Sequence, residues 1–129
     1  MGSTPNDTGA KDGDGIRPWD IVRVDFPYAD AARTRRRPAL VIATPAAGDG
    51  IAILWVLMIT SAARGPWPSD VPVSDLPLGG LSRACVVRAG KIATLDAMLA
   101  SRIGALAHAD RETVAIRVRE VLSDLLTPS

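Results

Sequence analysis

The sequence predicts a small, mainly β domain: a strongly bent antiparallel sheet or barrel of five or six short strands, covered by one C-terminal α-helix. Three observations carry this. Short apolar or alternating runs recur between residues 20 and 106, separated by Pro, Gly, Asp and Ser. The one long helical period lies at the end of the chain. At 129 residues, with 47% hydrophobic but only 4% aromatic side chains, the chain suffices for a single core made of Val, Ile, Leu and Ala.

The elements follow in order. Residues 1–16 read as a disordered tail, because MGSTPNDTGAKDGDG offers almost nothing apolar to offset the entropy of ordering. The domain is expected over 17–127. Asp20 to Phe26 alternates Ile21/Arg23/Asp25 against Val22/Val24/Phe26, a strand with one buried face. PYADAARTRRR, 27–37, is polar without a helical stripe and reads as a long loop. Pro38 to Ala43 is a continuous apolar strand, followed by a Gly-punctuated turn and a third, central strand from Ile51 to Ile59. Residues 61–70 form a second irregular loop. Val71-Pro-Val73 suits an edge strand, since Pro72 has no amide to donate. Ala84 to Arg88 is a further strand, Ala93 to Leu99 a helical turn, and Arg102 to Leu106 a last strand. From Ala109 to Leu126, Val114, Val118, Val121, Leu122 and Leu125 recur at helical spacing.

Composition excludes several classes. Net charge is +1, so any anion-binding surface must come from local clustering. One Cys and one His leave no ordinary zinc site and no internal disulfide. No signal peptide is expected, and no apolar run reaches the length of a membrane span. A reducing, cytoplasmic setting and no membrane partner are expected. The clustering that does exist is conspicuous: Arg33, Arg35, Arg36 and Arg37 stand immediately before Pro38 and its apolar strand. A bare RTRRR run reads as a solvated basic loop. Pro38, however, disfavours helix for its predecessor and holds Arg37 extended, at the mouth of a strand.

Taken together, WDIVRVDFP, RRPALVIA, LMITS, WPSDVPV and VVRAGKIATLD, in this order and spacing before a C-terminal helix, resemble the PemK/MazF family of toxin ribonucleases from type II toxin–antitoxin systems. The resemblance covers Trp19 to Leu126. It implies an SH3-like barrel of five to seven strands working as a homodimer, without metal or cofactor. The implied activity is cleavage of single-stranded mRNA at a short sequence, through 2′-OH attack, leaving a 2′,3′-cyclic phosphate and a 5′-hydroxyl. The implied protein partner is a cognate antitoxin whose disordered tail covers the RNA groove.

Carried over residue by residue, the resemblance makes Arg37 catalytic. Its guanidinium suits the charge that builds on phosphate oxygens during in-line attack. Thr60 and Ser61 match the family's Thr-Ser pair, and Arg88 matches the arginine of the VVR stretch. By themselves, Thr60 and Ser61 read equally as a strand terminus satisfying local backbone groups. Arg33, Arg35 and Arg36 read as an electrostatic funnel for RNA or as contacts for acidic antitoxin residues. Arg64 belongs with the RNA-binding set. Trp67 reads as a stacking platform or as a loop side chain tucked onto the barrel. Two departures matter. Gly90 stands where some members carry a carboxylate, and the only histidine, His108, begins the C-terminal helix. The proton acceptor stays open among Asp30, Asp70, Asp96 and water held by Thr60. A barrel that binds RNA or antitoxin without cutting, and a gyrase poison of the CcdB type, are therefore the rival readings.

Overall fold

The computed structural model describes residues 15–27 and 34–126. Among them, β1 (Asp20–Pro27), β2 (Thr34–Ala43), β3 (Ile53–Ser61), β4 (Asp70–Pro72), β5 (Cys85–Asp96) and β6 (Ala100–Ala105) form one antiparallel sheet in the order β4-β5-β3-β2-β1-β6. A 3₁₀ turn, Ala97–Leu99, joins β5 to β6, and two helices follow: α1 (His108–Val121) and a short α2 (Ser123–Leu126). Neither helix is long and apolar enough to cross a membrane.

The sheet is curled enough to bury both of its faces. Val22, Val24, Ala39, Val41, Leu54, Val56 and Met58 pack in one cluster. Ile21, Leu40, Leu57, Ile59, Val87, Leu106 and Val114 pack in a second. The expectation of one buried face for β1 therefore gives way: Ile21 and Val22 are both fully buried, and only Arg23 and Asp25 of the Ile21 row reach solvent. Ile16, the last residue of the expected tail, is buried in the first cluster. The sheet's two edges are brought together by the segment after β4, whose Leu78 carbonyl accepts the Ala105 amide at 3.1 Å. A Cβ on Gly104 would overlap the backbone of Leu78 and Gly79, and one on Gly80 the carbonyl of Ile103. That close approach is why the Gly79-Gly80 turn works here.

Two boundaries differ from expectation in ways that shape the site. First, β2 begins at Thr34, so Arg35, Arg36 and Arg37 are strand residues, opposite Phe26, Asp25 and Val24. Pairing with β1 extends the strand through sequence that has no apolar period of its own. Second, the expected strand 84–88 and helical turn 93–99 are one long strand, β5. Its register jumps from Met58↔Arg88 to Leu57↔Ile92, so Ala89-Gly90-Lys91 bulges out of the ladder. The helical turn shrinks to Ala97–Leu99, capped by Asp96, whose Oδ1 accepts the Met98 amide at 2.9 Å.

The C-terminal helix is also shorter than its apolar period. Val114 is buried and Val118 packs beside it, but Val121, Leu122 and Leu125 lie beyond the sheet, 47%, 40% and 78% exposed. Near its start, Asp110 accepts both the Ser74 amide and hydroxyl at 2.9 Å, which ties α1 to the β4–β5 connection. Trp19 is half-buried on the second cluster, with the Arg111 guanidinium 5.7 Å from its ring. Trp55 is 43% exposed on β3.

Candidate active site

The strand register assembles the site. β2 and β3 pair Ala39 with Met58 and Leu40 with Leu57. The same alignment, carried two residues further, sets Arg37 opposite Thr60. Side chains alternate along a strand, so Arg37 shares a face with Ala39 and Val41, and Thr60 shares one with Val56 and Met58. The first core's apolar rows thus end in a guanidinium beside a hydroxyl. Both lie on rigid scaffold at the rim of the sheet.

Two clefts meet there, sharing Arg37, Ile59, Thr60 and Arg64. One, about 270 Å³, continues over Met58 toward Arg88, Lys91, Ile92 and Ala93. Lys91 enters it by way of the β5 bulge. The other, about 290 Å³, lies between β1, β2 and the β4–β5 connection and adds Arg23, Arg36, Ser61 and Arg83. Neither cleft is lined by a carboxylate or a histidine among the described residues. No group of three or more His, Cys, Asp or Glu side chains that could hold a metal gathers among the described residues either.

The expected site residues separate into three kinds. Arg37, Thr60 and Arg64 are brought together, and Arg37 and Arg64 have no carboxylate partner among the described residues. Ser61 and Arg36 line a cleft but are engaged locally. The Ser61 Oγ accepts the Ala63 amide at 3.1 Å, and Arg36 pairs with Asp25 at 2.9 Å across the β1–β2 ladder. Arg88 differs most from expectation. It is 7% exposed and forms a two-pronged ion pair with Asp70, Nε to Oδ1 and Nη2 to Oδ2, both at 3.0 Å. Its Nη2 also donates to the Gly65 carbonyl at 2.9 Å, and its Cζ lies 4.3 Å from the centre of the Trp67 ring. Arg88 therefore fastens the loop between β3 and β4 to β5. Arg33 and Asp30 lie outside the described residues, and of Arg35 only the backbone is described.

The same geometry disposes of two proton acceptors. Burial alone would raise the Asp70 carboxyl. The hydrogen bonds from Arg88 and the Trp67 amide, with the Arg88 charge, outweigh it and hold the carboxyl below its ordinary value. A carboxylate so strongly held is a weak base. Asp96 is spent on its cap, at the far end of β5 from Val86, the partner of Thr60. His108 is exposed at the start of α1. Trp67 is 44% exposed but lines neither cleft; its described contact is with Arg88.

Sequence reasoning missed Arg23, Arg83 and Lys91. Arg23 was visible as the polar member of an alternating strand. Lys91 was signalled only by a glycine inside an apolar strand, which marks a bulge. Arg83 carried no local signal, because its place depends on how the β4–β5 connection folds back.

A small curled antiparallel sheet with a cationic rim and a terminal helix defines a class of barrel-like β domains. Residues 17–122 match the family described as PemK-like, MazF-like toxin of type II toxin–antitoxin systems, and the chain belongs to that family. Solved structures agree in fold. An endoribonuclease from a mycobacterial species, in complex with its cognate antitoxin, is 17% identical with a TM-score of 0.65, covering 84% of this chain and 96% of its own. MazF from Deinococcus radiodurans is 24% identical with a TM-score of 0.61, over 84% and 96%. A MazE–MazF complex from the same organism is 26% identical with a TM-score of 0.55, over 88% and 97%. No curated protein matches the chain by sequence. The chain is thus a toxin of the MazF/PemK type.

Proposed function

We propose that this toxin is an endoribonuclease that cuts single-stranded RNA without a metal ion. The observation that carries the reading is that Arg37 and Thr60 line both of the cationic clefts that meet at the rim of the sheet. In the reaction, the 2′-oxygen of one nucleotide bonds to the adjacent phosphorus, and the bond from phosphorus to the 5′-oxygen breaks. The products are a 2′,3′-cyclic phosphate and a 5′-hydroxyl. Arg37 binds two non-bridging oxygens with its fork and stabilises the charge that accumulates on them. Guanidinium does not deprotonate at accessible pH, so Arg37 is not the base. Thr60 orients the 2′-hydroxyl and holds the water that takes its proton, and solvent water returns a proton to the departing 5′-oxygen. Arg64 adds positive charge at the same junction, and Arg88 acts as a positioning residue that holds the Arg64 loop in place.

The protein partners follow from the family. We infer a homodimer checked by an antitoxin, as a solved relative is seen with its cognate antitoxin. The exposed Val121, Leu122 and Leu125 on the terminal helices support association. A barrel that binds RNA without cutting it remains the second reading, because neither cleft is lined by a carboxylate or histidine. One assay separates the two: a long single-stranded RNA, excess EDTA, and wild type beside Arg37→Ala. Cleavage by the wild type alone, with 5′-hydroxyl and cyclic phosphate ends, is the expected result. No cleavage by folded, antitoxin-free wild type would overturn the ribonuclease and leave the two non-cutting readings, a barrel that binds RNA or antitoxin and a gyrase poison.

A further inference from the structure

The cleft between β1, β2 and the β4–β5 connection holds more positive charge than one scissile phosphate requires. Arg23, Arg36, Arg37, Arg64 and Arg83 all line a recess of about 290 Å³, in a chain whose net charge is only +1. The only carboxylate described as pairing with any of them is Asp25, on Arg36. Like charges gathered this closely repel one another and destabilise the fold unless an anion visits. The recess is also firmly built. Arg23 stands on β1 between the buried Val22 and Val24. Arg83 lies two residues before β5, where its carbonyl accepts the Cys85 thiol at 3.1 Å and the neighbouring Ala84 carbonyl accepts the Ala62 amide at 3.0 Å. Ile59 and Leu81 give it an apolar wall, and Ser61 and Ser82 add hydroxyls.

We infer that this recess is a second phosphate pocket, in which Arg23 and Arg83 clasp the phosphodiester next to the one positioned at Arg37 and Thr60. The inference rests on the ribonuclease reading for the identity of its ligand. Continuity favours a nucleic-acid backbone over a protein carboxylate: the recess opens onto the reacting centre through Arg37, Thr60 and Arg64, which belong to both clefts. A strand lying across that centre must place a neighbouring linkage on one side or the other. Among the described residues, only this side has guanidinium forks converging from β1, β2 and the β4–β5 connection. The pocket would hold the strand in register for cleavage and contribute no proton transfer.

The test is binding to a 2′-O-methyl oligonucleotide of unstructured sequence, which lacks the attacking hydroxyl, measured across a salt series. Wild type is compared with Arg23→Gln/Arg83→Gln, both at exposed positions, with matched circular dichroism as the folding control. The double variant is expected to lose about tenfold in affinity at low salt. Its salt slope should fall by about 0.7, the contribution of one phosphate on a single strand. An unchanged slope and affinity would overturn the pocket. So would a loss confined to a glutamate-rich peptide with oligonucleotide binding intact, which would reassign the recess to a protein partner. If wild type never cleaves RNA yet the slope falls as stated, the pocket stands and the ribonuclease reading fails.

Discussion

Arg37 and Arg88 are both strand arginines at the same rim, and the fold uses them oppositely. Arg88 is buried, forked onto Asp70 and covered by Trp67. Arg37 is half-buried, with no carboxylate partner among the described residues and a cleft on either side. An arginine whose donors are met inside the protein builds structure. One whose donors are left over is available to an external anion. The difference lies in what each residue faces across the sheet: Asp70 pairs with Arg88 in the β4–β5 ladder, while Arg37 pairs with the aliphatic Val24.

Substitutions can sharpen or break this contrast. The largest effect is expected from Arg37→Ala: at least a hundredfold loss of cleavage rate, the scale of removing one transition-state donor, with the melting temperature unchanged. Retained cleavage would remove the centre of the mechanism. Asp70→Ala should act on stability instead, costing about 3 kcal/mol by stranding the Arg88 charge in its buried site. Denaturant titration measures it, and a neutral result would mean that Arg88 is as free as Arg37. The pH dependence has a definite sign. The folded Asp70 carboxyl lies below its ordinary value of 3.8, so its stabilisation is complete above that value and is lost as pH falls through the lower folded value. The gap between wild type and Asp70→Asn should therefore close on acidification below about 3.8.

Smaller effects probe the surroundings. Thr60→Val should slow cleavage roughly tenfold, the worth of one hydrogen bond to a charged group, with little change in RNA affinity. Gly90→Asp should fold normally, since a Cβ there meets only Trp67 Cε3 at 3.7 Å, and should raise the cleavage rate by adding a carboxylate to the bulge that carries Lys91 into the cleft. An unchanged rate would place the proton acceptor elsewhere. Breaking the exposed Asp25–Arg36 pair with Asp25→Asn should shift stability by less than about 1 kcal/mol.

Much of this molecule is legible without coordinates. Apolar alternation and turn residues located every strand, and the 3.6-residue period located the terminal helix, because local patterning reports which side chains seek the core. The resemblance then singled out Arg37, Thr60, Ser61 and Arg88; the fold brings Arg37 and Thr60 to the same clefts, while Ser61 accepts a local amide and Arg88 is held by Asp70. Errors fell where partners override local pattern. Thr34 to Arg37 is polar sequence drawn into a strand by its ladder with β1. The RAGKI stretch hid a continuous strand behind a bulge. Leu125 keeps helical spacing but runs past the sheet that would bury it.

The sequence by itself determined the elements, their order and the family, since these depend on short-range pattern and on spacing along the chain. Tertiary structure alone decided which arginines are spoken for. Arg88 meets Asp70 across 18 positions, and Arg23 and Arg83 line the same recess from β1 and the β4–β5 connection. Charge pairing acts through space, over distances the linear chain does not encode, so only the closed fold separates a structural guanidinium from one left open to a phosphate.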